Sequence, residues 1–207
     1  MVTDSGRAIR FHSTDVRVFK GRKSTGVRGI RLKGDDRVVS MSVIRHFVAT
    51  SDERAAYLKM RRAAAGAPDE GAADDEGDAN AAITPERYDE MSAAENLILT
   101  ISAQGAGKLS SSHDYPLRGR GGMGVAAMDK AMRGGDLVAS FPVEIEDQIM
   151  LATSKGQSIR VPVKGISFRS RSAGGVKVFD TGKNEFVVSV AWIADQSEEE
   201  NDEESEA

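Results

Sequence analysis

The 207-residue sequence has no cysteine, only 5 prolines and an aromatic content of 5%. Without cysteine there are no disulfides, thiolate metal sites or cysteine nucleophiles, and nothing points to an oxidising compartment. A cytoplasmic location is the expectation. The opening Met1-Val2-Thr3-Asp4-Ser5 carries no apolar signal region. No stretch approaches the ~20 apolar residues that a membrane span requires. Secretion and membrane insertion are therefore not expected.

Catalytic patterns are equally scarce. His12, His46 and His113 are far apart in sequence and form no HxxH or HExxH pair, so they read as solvated or turn residues rather than metal ligands. No G-x-S-x-G elbow occurs. Gly119-Arg120-Gly121-Gly122-Met123-Gly124 is not followed by Gly-Lys-Ser/Thr and opens no helical pattern, which argues against a phosphate loop. Tyr57, Tyr88 and Tyr115 read as packing or turn residues. Neither a catalytic residue nor a cofactor or metal is expected in this segment.

Glycine is abundant, at 21 residues, and the hydrophobic content is 40%. That mixture suits many short strands joined by tight turns better than a helical bundle. The net charge of −4 conceals segregation along the chain. Residues 195–207 hold eight acids and no base, and residues 45–95 hold twelve acids and six bases. The remainder holds 22 of the 28 bases against 12 of the 32 acids, a net of +10.

That basic remainder is repetitive. Ser5-Gly6-Arg7-Ala8-Ile9-Arg10, Thr25-Gly26-Val27-Arg28-Gly29-Ile30 and Val38-Val39-Ser40 form a first set. Ala103-Gln104-Gly105-Ala106-Gly107-Lys108, Gly121-Gly122-Met123-Gly124-Val125 and Leu137-Val138-Ala139 form a second. Ser154-Lys155-Gly156-Gln157-Ser158-Ile159, Gly174-Gly175-Val176 and Phe186-Val187-Val188 form a third. Val125 and Val176 lie 51 positions apart, whereas Val27 and Val125 lie 98 apart. One extra block, 45–95, therefore interrupts the array. A period near 50 residues built from short apolar runs and Gly-containing turns predicts propeller-like blades of about four strands, which must stack to bury their faces.

The interrupting block follows other rules. Thr50-Ser51-Asp52-Glu53 has capping-box spacing, and Thr84-Pro85-Glu86 has the form of a helix start. Two marginal helices around a disordered link are expected, since residues 66–82 carry almost no large apolar side chain. Residues 195–207 are expected to be disordered for the same reason. The domains are thus read as blade 1–44, truncated at its start, insertion 45–95, blade 96–144, last blade 145–194 and acidic tail 195–207. The role of the insertion stays open among spacer, partner contact and lineage feature.

Basic residues are the positive functional signal. The candidate DNA contacts are Arg7, Arg10, Arg17, Lys20, Arg22, Lys23, Arg28 and Arg31 in the first repeat. Arg118, Arg120 and Lys130 follow in the second, and Lys155, Arg160, Arg169, Arg171 and Lys177 in the third. Many occupy equivalent positions in the loop before the Gly-Val run: Lys20, Arg22 and Lys23; Arg118 and Arg120; Arg169 and Arg171. Stacking would align these loops into one positive stripe able to hold DNA through its phosphates, with little sequence preference and steep salt dependence. The competing reading is that these charges only solubilise strand edges.

The blocks Val27-Arg28-Gly29-Ile30-Arg31-Leu32, Asp147-Gln148-Ile149-Met150-Leu151 and Gly175-Val176-Lys177-Val178 closely resemble the C-terminal domain of the bacterial DNA gyrase A subunit. The resemblance covers 1–44 and 96–194, matches that family's later blades, and implies that the chain starts inside one of them. It implies an all-β β-pinwheel, here about three four-stranded blades of an incomplete disc, with a basic rim that bends and wraps duplex DNA. It also implies a setting in an ATP-dependent type II topoisomerase, the partners being the B subunit plus the rest of the A subunit in an A2B2 enzyme on the bacterial chromosome. ATP and Mg would act on other domains. Arg118-Gly119-Arg120-Gly121-Gly122-Met123-Gly124 resembles a degenerate form of the family's Q-R-R-G-G-K-G box, with Met123 at the lysine position. Two alternatives remain: the pinwheel of a topoisomerase IV subunit, and a propeller scaffold that binds proteins.

Overall fold

The computed structural model describes residues 1–68, 77–132 and 134–194. In chain order the strands of the first repeat are β1 (Val2–Thr3), β2 (Arg7–Ala8) and β3 (Val38–Ser40). Two helices follow, α1 (Ser51–Ala64) and α2 (Pro85–Ala93). The second repeat gives β4 (Leu97–Ser102), β5 (Ala106–Ser111), β6 (Val125–Ala126) and β7 (Leu137–Val143), and the third gives β8 (Gln148–Thr153), β9 (Ser158–Pro162), β10 (Val176–Lys177) and β11 (Val187–Ile193). A single 3-10 turn follows the second strand of each repeat, at Ser13–Asp15, Ser112–Asp114 and Val163–Gly165.

The sheets differ from self-contained four-stranded repeats in one respect. Their orders are β3-β1-β2-β6, β10-β5-β4-β7 and β11-β8-β9, and every pairing within them is antiparallel. The outer strand of each of the first two blades is therefore supplied by the following repeat, with Val125 opposite Ala8 and Val176 opposite Gly107. Gly-Val runs are short because each needs only to span one exchanged pairing. The third blade has three strands among the described residues.

Strand alternation sorts the core into two layers. Leu99 and Ile101 point from β4 toward the third blade and join Leu109, Val143, Ile149, Leu151, Val163, Ile166 and Val187. Ile98, on the opposite face, joins Val2, Ala8, Tyr115, Ala127, Met128 and Leu137 toward the first. The middle blade is covered on both faces, so β4 and β5 are buried almost throughout, but the face that carries Ile98 also buries Thr100, Ser102, Lys108, Ser110 and Ser140, with the Thr100 and Ser140 hydroxyls hydrogen-bonded to each other.

The helices form as their caps require. The Thr50 side chain accepts from the Glu53 amide at 3.2 Å while Glu53 accepts from the Thr50 amide at 2.7 Å, and Thr84 accepts from Arg87 N at 3.2 Å. Tyr57, Leu58 and Met91 bury a small core between the two helices, with Phe47, Ala49, Ile83 and Tyr88 packed around it. Arg87 clamps the pair, bonding Glu53 at 2.8 Å and the Val48 carbonyl at 2.8 Å over the Phe47 ring. Of the stretch read as a disordered link, residues 69–76 lie outside the described residues, as does the tail 195–207. Asp78 and Asn80 are held to α1 through Asp52 and Lys59.

His113 sits in the 3-10 turn Ser112–Asp114, one of the two expected readings, but it is not solvated. Its ring is buried, with Nε2 2.9 Å from the Met91 carbonyl and the Phe47 and Tyr57 rings edge-on. Burial holds its pKa below the ordinary histidine value, against the smaller opposing effect of the Met91 carbonyl. In the pH range between that depressed value and about 6.5, the unfolded chain binds more protons than the folded one, so stability present above pH 6.5 is lost on acidification. Asp114, whose carboxyl is pushed up by burial, acts in the opposite sense, because there the folded chain binds the extra proton. Thermal unfolding followed by helical circular dichroism should therefore fall from pH 7.5 to 5.5, with a shallower fall in His113→Gln. Equal slopes in the two proteins would assign the effect to other groups.

Candidate nucleic-acid interface

In the second and third repeats the basic loop leaves its own 3-10 turn and is zipped onto the preceding blade. Arg118 N donates to the Arg10 carbonyl at 2.8 Å, and Arg169 N donates to the Leu109 carbonyl at 2.8 Å. These bonds lie beside equivalent parallel bridges, Arg10 with Leu117 and Leu109 with Phe168. The loop then turns through a glycine pressed against the neighbour's backbone. A Cβ on Gly124, at φ +69°, would sit 2.4 Å from the Ala8 carbonyl oxygen, and one on Gly175 would sit 2.8 Å from Gly107 N. Glycine precedes valine in these two repeats because no side chain fits where one blade's strand crosses onto the next.

The second arginine of these two loops is a staple between blades. Arg120 donates through Nε to the Asp15 carbonyl at 3.2 Å and through a terminal nitrogen to the Arg28 carbonyl at 2.5 Å. Arg171 repeats the pattern on the next blade, from Nε to the Asp114 carbonyl at 2.9 Å and from a terminal nitrogen to the Ala126 carbonyl. Asp114 is the counterpart of Asp15 and Ala126 that of Arg28 in the repeat alignment. The Asp114 carboxylate also accepts from Arg171 N at 2.6 Å and lies 3.8 Å from its Nε. Burial pushes the Asp114 carboxyl up, opposed by Arg171. The neighbouring Tyr115 hydroxyl is pushed up to about 12, chiefly by burial.

Arg171 must therefore be withdrawn from the DNA-facing set. It is 3% exposed, and its donors are committed to protein carbonyls. Arg10, Arg120 and Arg169 are half-buried. Arg10 holds the carbonyls of Ser112 at 2.9 Å and Arg45 at 3.2 Å. The exposed members are Arg7, Arg17, Lys20, Arg22, Lys23, Arg28, Arg31, Arg118, Lys130, Lys155, Arg160 and Lys177. Two of these have weak local partners, Lys155 on the Lys183 carbonyl and Lys177 on Asp180. Arg133 lies outside the described residues.

A further cation is not marked by the sequence pattern. Lys108 is fully buried on β5, and its ammonium donates to the carbonyls of Ser170 at 2.8 Å, Arg171 at 2.5 Å and Ala173 at 2.7 Å. It thereby fixes the whole basic loop of the third repeat from beneath. The available signal is its place in an alternating strand where the other repeats carry Ile9 and Ile159.

Among the described residues no group of three or more His, Asp or Glu side chains could hold a metal, and no helix is long and apolar enough to cross a membrane. The site can therefore offer cations, backbone dipoles and a repeating spacing.

Known proteins match this arrangement. The chain is 44% identical over 199 residues to the DNA gyrase A protein of Granulibacter bethesdensis, covering 89% of this chain and 21% of that protein. It is 38% identical over 209 residues to the DNA gyrase A protein of Rickettsia bellii, covering 100% of this chain and 23% of that protein. It thus spans about a fifth of the length of these relatives. In fold it is similar to a solved DNA gyrase A C-terminal domain, with TM-score 0.63 and 21% identity over 93% of this chain and 49% of that one. The C-terminal domain of DNA topoisomerase IV is similar at TM-score 0.66 and 20% identity, over 99% of this chain and 50% of that one. The family model described as DNA gyrase C-terminal domain, beta-propeller, matches residues 1–45, 96–141 and 147–191, the three stretches that build the strand-exchanged blades. The chain belongs to the DNA gyrase C-terminal domain family of β-propellers.

Proposed function

We propose that this chain binds duplex DNA through the phosphates and contributes to bending and wrapping it within a gyrase A protein. The observation that carries this reading is the strand exchange. It docks the basic loops of the second and third repeats in the same way, the amides of Arg118 and Arg169 each bonding the strand beneath, and the first repeat's loop adds the exposed cations Arg17, Lys20, Arg22 and Lys23. Cations recurring in successive repeats, without a base-reading helix among the described residues, suit a sequence-tolerant backbone contact. Strand breakage and ATP use belong, in this reading, to the rest of the gyrase A protein together with gyrase B, and this segment itself uses no cofactor. The setting is the bacterial chromosome in the cytoplasm. The topoisomerase IV alternative rests on fold similarity alone, whereas the sequence relatives described above are gyrase A proteins.

Binding of a duplex of mixed sequence across a salt series tests this. Affinity should fall steeply with salt, and Arg118→Ala should reduce the log–log slope by about 1, as expected for one phosphate contact. No measurable binding at low salt, or an affinity indifferent to salt, would remove the proposal.

A further inference from the structure

The helical insertion is seated on the repeats rather than hung from them. α1 packs against the 3-10 turn Ser112–Asp114 of the second repeat, with the Tyr57 ring edge-on to His113. Its last turn reaches the third repeat, where the Arg61 guanidinium lies over the Phe168 ring, 4.5 Å from the centroid. The helix thus bridges the middle and third blades beside the basic loop of the third repeat.

Arg61 is held there without being used up. Its Nε donates to the Glu95 carboxylate at 3.0 Å, and the Glu95 side chain is only 7% exposed. Among the described residues the two terminal nitrogens of Arg61 have no hydrogen-bond partner, and neither is sealed from solvent. A guanidinium fixed at Nε by a carboxylate and seated on an aromatic ring, with its terminal nitrogens open, is pre-organised for an acceptor with two oxygens, such as a phosphate.

Arg61 lines a groove of about 350 Å³ between the end of α1 and the 3-10 turn Val163–Gly165. Leu97, Ile166 and Phe168 are among its apolar walls, and its polar side chains are Arg61, Lys164 and Ser167. Ser167 is exposed. Lys164 is 72% exposed, and its ion pair with Glu146 is 3.7 Å long between two exposed side chains, a pair of little net worth.

The two internal junctions differ at this point. Where the second repeat meets the first, Leu117 bridges Arg10 and Arg118 is exposed. Where the third meets the second, Phe168 bridges Leu109, and Arg169 is half-buried with its Nε enclosed. The cation drawn inward at Arg169 is matched, at the adjoining residue, by one supplied from α1, and a ring replaces leucine to seat it.

On the DNA-binding reading above, we propose that the insertion carries part of the DNA contact. Arg61 of α1, with Lys164 and Ser167 of the third repeat, grips one phosphate of a duplex lying along the basic loops, while the apolar walls take the adjoining sugar. Continuity with the loop that holds Arg169 favours a nucleic-acid backbone over an acidic segment of protein as the occupant.

Binding of a mixed-sequence duplex to the intact chain over a salt series tests this. Arg61→Gln combined with Glu95→Gln leaves the net charge unchanged and strands no buried carboxylate, so an affinity loss of about tenfold reports a missing charge-assisted contact and not the overall field. Helical circular dichroism at the parent's level confirms that α1 is still formed. Lys164→Ala should lower the log–log slope by about 1. Lys59→Ala is the control, since it stands roughly 200° around α1 from Arg61, bonds Asn80 and does not line the groove. It should move the slope far less than Lys164→Ala. A parent chain that binds no duplex, or binds it indifferently to salt, would remove the DNA-binding reading itself. A parent that binds with steep salt dependence, while the paired glutamine variant keeps its affinity or Lys164→Ala keeps its slope, would overturn the groove alone and leave it to an acidic segment of protein. Equal slope losses in Lys59→Ala and Lys164→Ala would overturn it as well, by showing that only total charge matters.

Discussion

Replacing Arg171 by leucine is expected to lower the unfolding free energy by about 3 kcal/mol, the lower end of what breaking a buried ion pair costs. The loss has two sources. The carbonyls of Asp114 and Ala126 lose their donors, and an unpaired buried acceptor costs about 1–3 kcal/mol. The Asp114 carboxylate also loses the guanidinium that opposes its desolvation. With a urea slope of about 2 kcal/mol per molar, the midpoint should move down by about 1.5 M. Arg118→Leu, at an exposed position, should stay within about 0.5 kcal/mol of the parent while weakening DNA binding. Under conditions where Arg171→Leu is fully folded, its DNA affinity should retain the parent's salt slope. A midpoint unchanged by Arg171→Leu would mean that the staple contributes nothing net.

Lys108→Met is expected to cost about 2–3 kcal/mol, because a side chain of similar length keeps the packing while three buried carbonyls lose their donor. Part of that cost is offset, since the variant no longer desolvates an ammonium. Lys108→Ile, the residue the other repeats carry, should be no better, because the loop above it presents its carbonyls downward whatever lies beneath. Since Lys108 and Arg171 fasten the same loop, the double variant Arg171→Leu with Lys108→Met should lose less than the sum of the two single losses, and urea unfolding of all four proteins measures that coupling. Strict additivity would show that the two cations act on independent structures.

Much of this architecture is legible in the chain. The 51-residue spacing of Val125 and Val176 marks the blades because repeated burial needs repeated apolar runs. The spacing of Thr50 and Glu53 marks α1 because amides at a helix start need acceptors at fixed positions. The basic loops are legible because charge at recurrent positions survives any folding of the backbone. What pattern reading misses is partner identity. Nothing local tells that the strand after Gly124 pairs with β2 of another repeat, or that of Arg169 and Arg171, two residues apart, one is half-buried and the other almost wholly enclosed. His113 is equally opaque, since its burial depends on α2 packing against a turn 22 residues later.

Composition and period by themselves determined an all-β repeat protein with a positive loop in every unit, because those properties are sums over local residue choices. Only the tertiary structure decided which cations are available to a ligand. Availability depends on whether carbonyls from a neighbouring blade, distant in sequence, reach a guanidinium or ammonium before solvent does. For Arg171 and Lys108 they do, and for Arg118 they do not.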